Sequence, residues 1–363
     1  MNDQQFMKLA LELAHSGLGQ TSPNPMVGAV VVDPRGTIVG RGNYEKAGSD
    51  HAEAIALREA GDKARGATLY VTLEPCSHHG RNRTPCAELV RAAGITRVVC
   101  AMEDPDSRVI GTGFARLRSA GTNVEVGLGG EEAARLNRMY VQHRTNGRPF
   151  VTLKMAQSLD GAVGSQPAQR RQLTGKRAGN YTRKLRYEHD AVMVGVGTII
   201  ADDSMLTVRP YKPRAVPYTR VIVDAAGRIP LKAKVTKDQL RARTIVATTD
   251  LMPQTTRDAL SKRGVTVLNC AREADDRVDL GDLLAKLAQS GIISVLCEGG
   301  PTLAGSLLAG RFVNHLDWLV APLLLGGANA TPVIANVSRD IPLRLETVRR
   351  LGDDVLVSAE VTA

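Results

Sequence analysis

Aromatic side chains are scarce in this chain: one Trp, four Phe and seven Tyr among 363 residues. Sequence-tolerant binding of single-stranded nucleic acid relies on rings that stack with bases, so the net charge of +10 does not by itself imply an RNA or DNA partner. There is no long Lys/Arg block either. The basic residues are scattered, which suits arginines that meet phosphorylated small ligands and an otherwise solvated basic surface. No run approaches the roughly 20 apolar residues that cross a bilayer, which excludes a membrane-spanning role. The start, Met1-Asn2-Asp3-Gln4-Gln5, lacks the layout of a signal peptide. Cysteine is sparse, and its odd count of five argues against a disulfide framework and for the cytoplasm. Cys100, Cys270 and Cys297 lie in or at the end of apolar runs and read as small buried hydrophobes.

What remains is ordinary for a globular enzyme: 43% hydrophobic and 23% charged residues. The length exceeds what one core usually serves, so two domains are expected. The short polar stretch Arg144-Thr145-Asn146-Gly147-Arg148-Pro149 marks the boundary, giving residues 1–146 and 147–363.

In the first part, Val27 to Val32 and Thr37 to Val39 read as a hairpin around Asp33-Pro34-Arg35-Gly36. A helix is predicted from His51 to Ala60, a strand over Thr68 to Leu73, a helix over Ala87 to Ala93, a strand over Ile95 to Ala101 and a helix from Glu131 to His143. This order predicts helices on the faces of one sheet. Two short runs carry the chemistry: His51-Ala52-Glu53, and Glu74-Pro75-Cys76 followed by Cys86. One imidazole and two thiolates form a ligand set that binds zinc and leaves the fourth position open, the mark of a catalytic site. Cys86 is expected at a helix start, with Thr84 as N-cap and Pro85 at the first helical position, where the helix dipole favours a thiolate. Glu53 stands two residues after the histidine, where zinc deaminases of nucleobases carry a proton-shuttling carboxylate.

In the second part, the strands Phe150 to Lys154, Ala191 to Val196, Val221 to Val223, Thr244 to Ala247, Val265 to Leu268 and Ile292 to Cys297 alternate with helical patterns. A mostly parallel sheet follows. Ile293 to Cys297 leads into Glu298-Gly299-Gly300-Pro301-Thr302-Leu303-Ala304-Gly305-Ser306. Here a strand delivers glycines to a helix start, a place where backbone N–H groups can meet a phosphate. Gly195-Val196-Gly197-Thr198, with Asp202, Asp203 and Arg209 beyond, reads as a strand ending in a polar loop.

The run Pro23-Asn24-Pro25-Met26-Val27-Gly28, with His51-Ala52-Glu53 and Leu73-Glu74-Pro75-Cys76-Ser77-His78-His79-Gly80-Arg81, resembles the deaminase half of the bifunctional riboflavin-biosynthesis deaminase–reductases. Leu153-Lys154-Met155-Ala156-Gln157-Ser158-Leu159-Asp160-Gly161 and the two glycine-bearing segments resemble the reductase half. The resemblance implies a cytidine-deaminase-like α/β/α sandwich followed by a dihydrofolate-reductase-like α/β domain. It implies one zinc per chain on His51, Cys76 and Cys86, with Glu53 as proton shuttle. Substrate contacts would come from Asn24, His78, Arg81 and Asp104. NADPH would meet Ala156, Thr198, Asp202 and Gly300, Pro301, Thr302, Leu303, Ala304, Gly305 and Ser306. Leu206, Arg209 and Glu298 would hold the second substrate, with Lys154 and Asp202 at the reacting centre.

Three departures from the family pattern stand out. The loop before Cys86 is one residue longer than usual, Asp106 replaces a common Asn, and Arg170-Arg171-Gln172-Leu173-Thr174 lacks the usual Ser and Trp. The implied reactions are deamination of a diaminopyrimidinone bearing a ribosylamino 5-phosphate, then reduction of its ribosyl chain. The expected partners are that phosphorylated pyrimidine and further copies of the chain, as dimer or tetramer. The rival readings are a nucleoside or tRNA-base deaminase fused to an inactive reductase-like domain, and a basic RNA-binding protein with structural zinc.

Overall fold

Asp33 makes the first turn: its Oδ1 accepts from the backbone N–H groups of Arg35 and Thr37 at 3.0 and 2.8 Å. The side chain thus stands in for a backbone partner. This computed structural model describes residues 1–78, 84–164, 172–210, 214, 216–327 and 330–362. The chain divides into two units, Met1–Gly147 and Arg148–Ala363.

The first unit runs α1 (Asp3–His15), β1 (Gly28–Val32), β2 (Ile38–Asn43), α2 (Ala52–Ala60), β3 (Thr68–Val71), α3 (Cys86–Ala92), β4 (Arg97–Cys100), α4 (Thr112–Ser119), β5 (Asn123–Val126), α5 (Gly130–Leu136) and α6 (Arg138–Asn146). The sheet order is β2-β1-β3-β4-β5, with β1 antiparallel to both neighbours and β3, β4 and β5 parallel. Every residue of β1 is buried because both faces are covered. Ala29 and Val31 pack with Ala52 and Ala56 of α2, Val90 of α3 and Phe114 of α4. Val30 and Val32 pack with Phe6, Met7 and Ala10 of α1 and Ala133 of α5. The result is an α/β/α sandwich.

Two expectations shift here. β2 continues past Val39 to Asn43, because Gly40 and Gly42 let α2 lie directly on it: a Cβ at Gly42 would fall 2.1 Å from Ala52 O. The single helix expected from Glu131 to His143 is broken at Asn137. That side chain is buried and spent on the backbone of Met26, accepting from its N–H at 2.8 Å and donating to its carbonyl at 2.9 Å.

The second unit runs β6 (Phe150–Ser158), β7 (Ala162–Gly164), α7 (Lys176–Glu188), β8 (Ala191–Gly195), α8 (Val196–Asp202), β9 (Thr219–Val223), β10 (Arg243–Thr248), α9 (Gln254–Ser261), β11 (Thr266–Asn269), α10 (Leu280–Gln289), β12 (Ser294–Cys297), α11 (Pro301–Ala309), β13 (His315–Ala321), β14 (Thr331–Pro332), β15 (Leu343–Leu351) and β16 (Asp354–Val361). Nine strands form one sheet in the order β11-β10-β9-β8-β12-β6-β13-β16-β15. It is parallel from β11 to β13, as the alternation of strands and helices predicts, and closes with an antiparallel pair, β16 and β15. One face of β6 (Val151, Leu153, Met155) packs on Leu283 and Leu287 of α10 and Leu307 of α11. Further along the sheet, Ala156 of β6, Leu319 and Leu356 lie under Ala178 and Tyr181 of α7. Cys100, Cys270 and Cys297 are buried as expected.

Candidate active sites

His51 is the last residue before α2, and its extended backbone (φ −70°, ψ 154°) turns the imidazole toward the sheet end. Cys76 follows β3, and Cys86 is the first residue of α3. Pro85, not Thr84, is the N-cap of that helix, one residue later than expected, and no side chain caps it. The three donor atoms lie within 4.8 Å of one another. His51 Nδ1 is 3.2 Å from Cys86 Sγ and 3.6 Å from Cys76 Sγ. A tetrahedral zinc with ordinary Zn–N and Zn–S bonds spaces such atoms by about 3.5 Å. The donors therefore fit zinc in type and spacing.

The Cys86 N–H donates to Cys76 Sγ at 3.3 Å, while the hydrogen bond between the two thiol side chains is the main cause pulling the Cys76 thiol down to about 4. Glu53, in the first turn of α2, is 3% exposed. Burial, then repulsion from Cys76, pushes its carboxyl up to about 7.

Around this centre, Asn24 donates to Tyr44 Oη at 2.9 Å, and the Tyr44 ring meets His51 edge-on at 5.7 Å between centroids. Asp104 Oδ1 accepts from Tyr140 Oη at 3.1 Å, and burial raises its pKa. Asp106 instead holds Arg108 and lies 3.7 Å from Arg144. His78 is exposed, and Arg81 lies outside the described residues. Tyr44 and Glu74 went unassigned in the sequence reading. The buried Glu74 carboxylate accepts from the N–H groups of Gly113 (2.7 Å), Gly111 (2.9 Å), Asp104 (3.2 Å) and Phe114 (3.4 Å). It ties the Cys76 loop to the start of α4. Its place beside Cys76 was the available signal.

In the second unit a cleft of about 890 Å³ opens at the ends of β6, β8 and β12. Lys154, Ala156, Thr198, Asp202, Glu298, Gly300, Pro301, Thr302, Leu303 and Ser306 all line it, as does Gln172. Four expected residues do not line it. Ala304 is fully buried in the core, and Gly305 backs onto Ala335, whose carbonyl a Cβ would strike at 1.6 Å. On a helix, only one side can face a ligand. Leu206 is buried with Val192 and Val194, and Arg209 is exposed. The expected loop after Gly195 is in fact the start of α8. Arg170 lies outside the described residues.

The cleft suits a dinucleotide. Gly195, Gly197 and Gly300 have no positive φ, and an added Cβ would meet nothing within 4 Å. Packing does not demand glycine at these positions, so the missing side chains leave room in the cleft. At α11 the backbone N–H groups after Gly300 open the helix, a favourable place for a phosphate.

Arg186 of α7 was not foreseen. It grips Glu298 with Nε–Oε1 at 2.5 Å and Nη2–Oε2 at 3.0 Å, while Lys154 Nζ lies 4.0 Å from Oε2. A lone arginine in the basic run Thr182-Arg183-Lys184-Leu185-Arg186 carries no sequence signal of this role.

Zinc donors with a buried carboxylate in one unit, and a glycine-lined cleft with Lys154 and Glu298 in the other, define a deaminase joined to a reductase. Residues 1–102 match the cytidine and deoxycytidylate deaminase zinc-binding region, and residues 149–357 match the RibD C-terminal domain. The riboflavin biosynthesis protein RibD of Aquifex aeolicus is 41% identical over 98% of this chain and 97% of its own length. That of Escherichia coli is 36% identical over 98% of each. Acinetobacter baumannii RibD superposes with a TM-score of 0.89 at 36% identity over 99% of both chains. A Thermotoga maritima diaminohydroxyphosphoribosylaminopyrimidine deaminase/5-amino-6-(5-phosphoribosylamino)uracil reductase superposes at 0.85, with 32% identity over 99% of this chain and 98% of the other. The chain belongs to the RibD family of bifunctional riboflavin-biosynthesis enzymes. It is a hydrolase and an oxidoreductase acting on a small molecule, with zinc and NADPH as its cofactors. Among the described residues, no helix is long and apolar enough to cross a membrane.

Proposed function

We propose that the first unit deaminates 2,5-diamino-6-ribosylamino-4(3H)-pyrimidinone 5′-phosphate and that the second reduces the ribosyl chain of the product to ribityl. The observation that carries this reading is the convergence of His51, Cys76 and Cys86 beside the buried Glu53. The activities named for the Thermotoga maritima relative support the choice of substrate.

His51, Cys76 and Cys86 would hold zinc, which when bound supplies a Lewis acid that makes water nucleophilic near neutral pH. Glu53 takes one water proton on a carboxylate oxygen and passes it to the ring nitrogen, then relays the second, from the hydroxyl left on the ring carbon, to the departing amine, which leaves as ammonia. Its burial suits a group that must hold a proton in one half of the reaction and release it in the other. Asn24 and Asp104 orient the pyrimidine, with His78 and Arg81 on the side of its phosphate.

In the second unit Ala156, Thr198, Asp202 and the Gly300 helix start would hold NADPH, which when bound would supply a hydride for the anomeric carbon. As the bond from that carbon to the ring oxygen breaks, Lys154 gives a proton to the oxygen, and Glu298 orients the sugar. A nucleoside or tRNA-base deaminase with an inert second unit is disfavoured, because the cleft keeps Lys154, Asp202 and Glu298 on its wall.

The working division is residues 1–146 for deamination and 147–363 for reduction, in the cytoplasm. The chain acts as a dimer or tetramer. The outermost strand β15 supports assembly: Leu343 to Arg350 are all exposed, including Leu345 and Val348 at 63% and 61%. An edge strand that exposes Leu343, Leu345 and Val348 between its charged residues can pair with another strand. The test is to measure ammonia release from the diaminopyrimidinone, cytidine and tRNA, and NADPH oxidation with the deaminated product. Turnover of cytidine alone, or no NADPH oxidation, overturns the reading.

A further inference from the structure

Beneath α7, neighbouring strands set a row of polar residues side by side. Lys154 of β6 is in register with Asp317 of β13, and Asp317 with Ser358 of β16. On the other flank, Glu298 follows Cys297, the residue paired with Leu153. Across the sheet the row reads Glu298, Lys154, Asp317, Ser358. Side chains in register on adjacent strands share a face. Here it is the face of α7, which brings Arg186 to Glu298 and Tyr181 to Asp317.

Asp317 is 1% exposed. Ser358 Oγ donates to its Oδ1, and His315 Nε2 lies 3.4 Å away. A carboxylate this far from water needs hydrogen bonds and an opposing charge to persist. The roles assigned above to Lys154, Glu298 and Asp202 make no use of it.

The balance of charge suggests what it does. Arg186 takes both oxygens of Glu298, and the Lys154 ammonium stands beyond hydrogen-bond reach of that carboxylate at 4.0 Å. Two buried cations, Lys154 and Arg186, thus share one glutamate. Asp317 is the second anion of the group.

We propose that Asp317 is a positioning residue of the reductase, the anion in register with Lys154 on the neighbouring strand that helps keep Lys154 charged. The proposal rests on the reading of Lys154 as proton donor. Burial is the main influence lowering the Lys154 pKa; Glu298 opposes it, Arg186 adds to it and Asp317 opposes it. The groups around the pair are Arg186 and Tyr181 from α7, Glu298 after β12, and His315 from β13. Glu346 of β15 lies 3.6 Å from His315 Nδ1.

The sign follows directly. An anion beside an ammonium favours its protonated form, so removing Asp317 lowers the pH at which Lys154 loses its proton. In full-length Asp317→Asn, the alkaline limb of NADPH oxidation should move down by about one pH unit, with roughly tenfold loss on that limb and recovery at lower pH. The KM for NADPH and the rate of deamination should stay as in wild type. A merely structural role would depress reduction equally at every pH. Should Asp317→Asn fail to fold, Tyr181→Phe decides, because removing a donor that shares the Asp317 charge moves the alkaline limb up. Unmoved limbs, or a loss independent of pH, overturn the proposal. Full reductase activity in Lys154→Met would instead sink the reading of Lys154 itself.

Discussion

Arg186 forms a forked ion pair with Glu298, a residue of the reductase cleft wall, with both guanidinium contacts at 3.0 Å or less. Both side chains are largely buried, at 14% and 9% exposure. Arg186→Met would leave Glu298 buried without its main partner, a change that typically costs about 3–5 kcal/mol. The expected outcome is a lower melting temperature and lost NADPH oxidation, with zinc content unchanged. Arg186→Lys, which keeps the charge but not the fork, should fall between the two. An Arg186→Met enzyme as stable and active as wild type would contradict this account.

Cys86→Ser should release zinc and abolish deamination while NADPH oxidation of supplied deaminated substrate continues. A chelator should give the same pattern, and added zinc should reverse it. Glu53→Gln should keep its zinc and lose deamination by roughly 10²–10⁴-fold. Metal analysis beside the two assays separates these cases; a full zinc complement in Cys86→Ser would rule out Cys86 as a ligand.

Gly300→Ala should fold normally, since φ is −73° and an added Cβ meets nothing within 4 Å. The methyl would occupy the cleft, so the dissociation constant for NADPH, read by fluorescence titration, should rise about tenfold or more. Unaltered NADPH affinity would place the cofactor elsewhere.

Glu74→Gln should destabilise the first unit. The carboxylate accepts from the N–H groups of Gly113, Gly111, Asp104 and Phe114. An amide offers one oxygen and turns an NH₂ toward donors. Hydrogen bonds to a charged group contribute about 1.5–3 kcal/mol, and the loss should appear in denaturant unfolding. Zinc affinity should weaken as well, because the same loop carries Cys76.

The grouping of His51, Cys76 and Cys86 was legible because each sits in a run of a few residues whose chemistry is local. The same holds for the strand entering Glu298-Gly299-Gly300 and for the parallel order of strands it belongs to. Arg186 was not legible: only the packing of α7 over the end of β12 gives it a partner 112 positions along the chain. Asn137 reads as an ordinary helix residue until its amide is seen to pair with Met26, 111 positions away. Asp317 is flanked by Leu316 and Trp318, and apart from His315 on its own strand its partners, Ser358 and Tyr181, come from other elements. Ala304 and Gly305 were over-read because a glycine-rich run does not reveal which side of the helix it opens will face the cleft.

The two glycines of β2 bear on attempts to engineer this enzyme. Glycine inside a strand is a common target for stabilising replacement, since a side chain restricts the unfolded chain. At Gly42 a single methyl would press on the carbonyl of Ala52, and at Gly40 on that of Ala56, each at 2.1 Å. The helix so displaced begins next to His51 and holds Glu53 in its first turn. A substitution chosen for thermal robustness on a strand that contributes no ligand would therefore detune the metal centre, and screens for heat tolerance should leave both positions untouched.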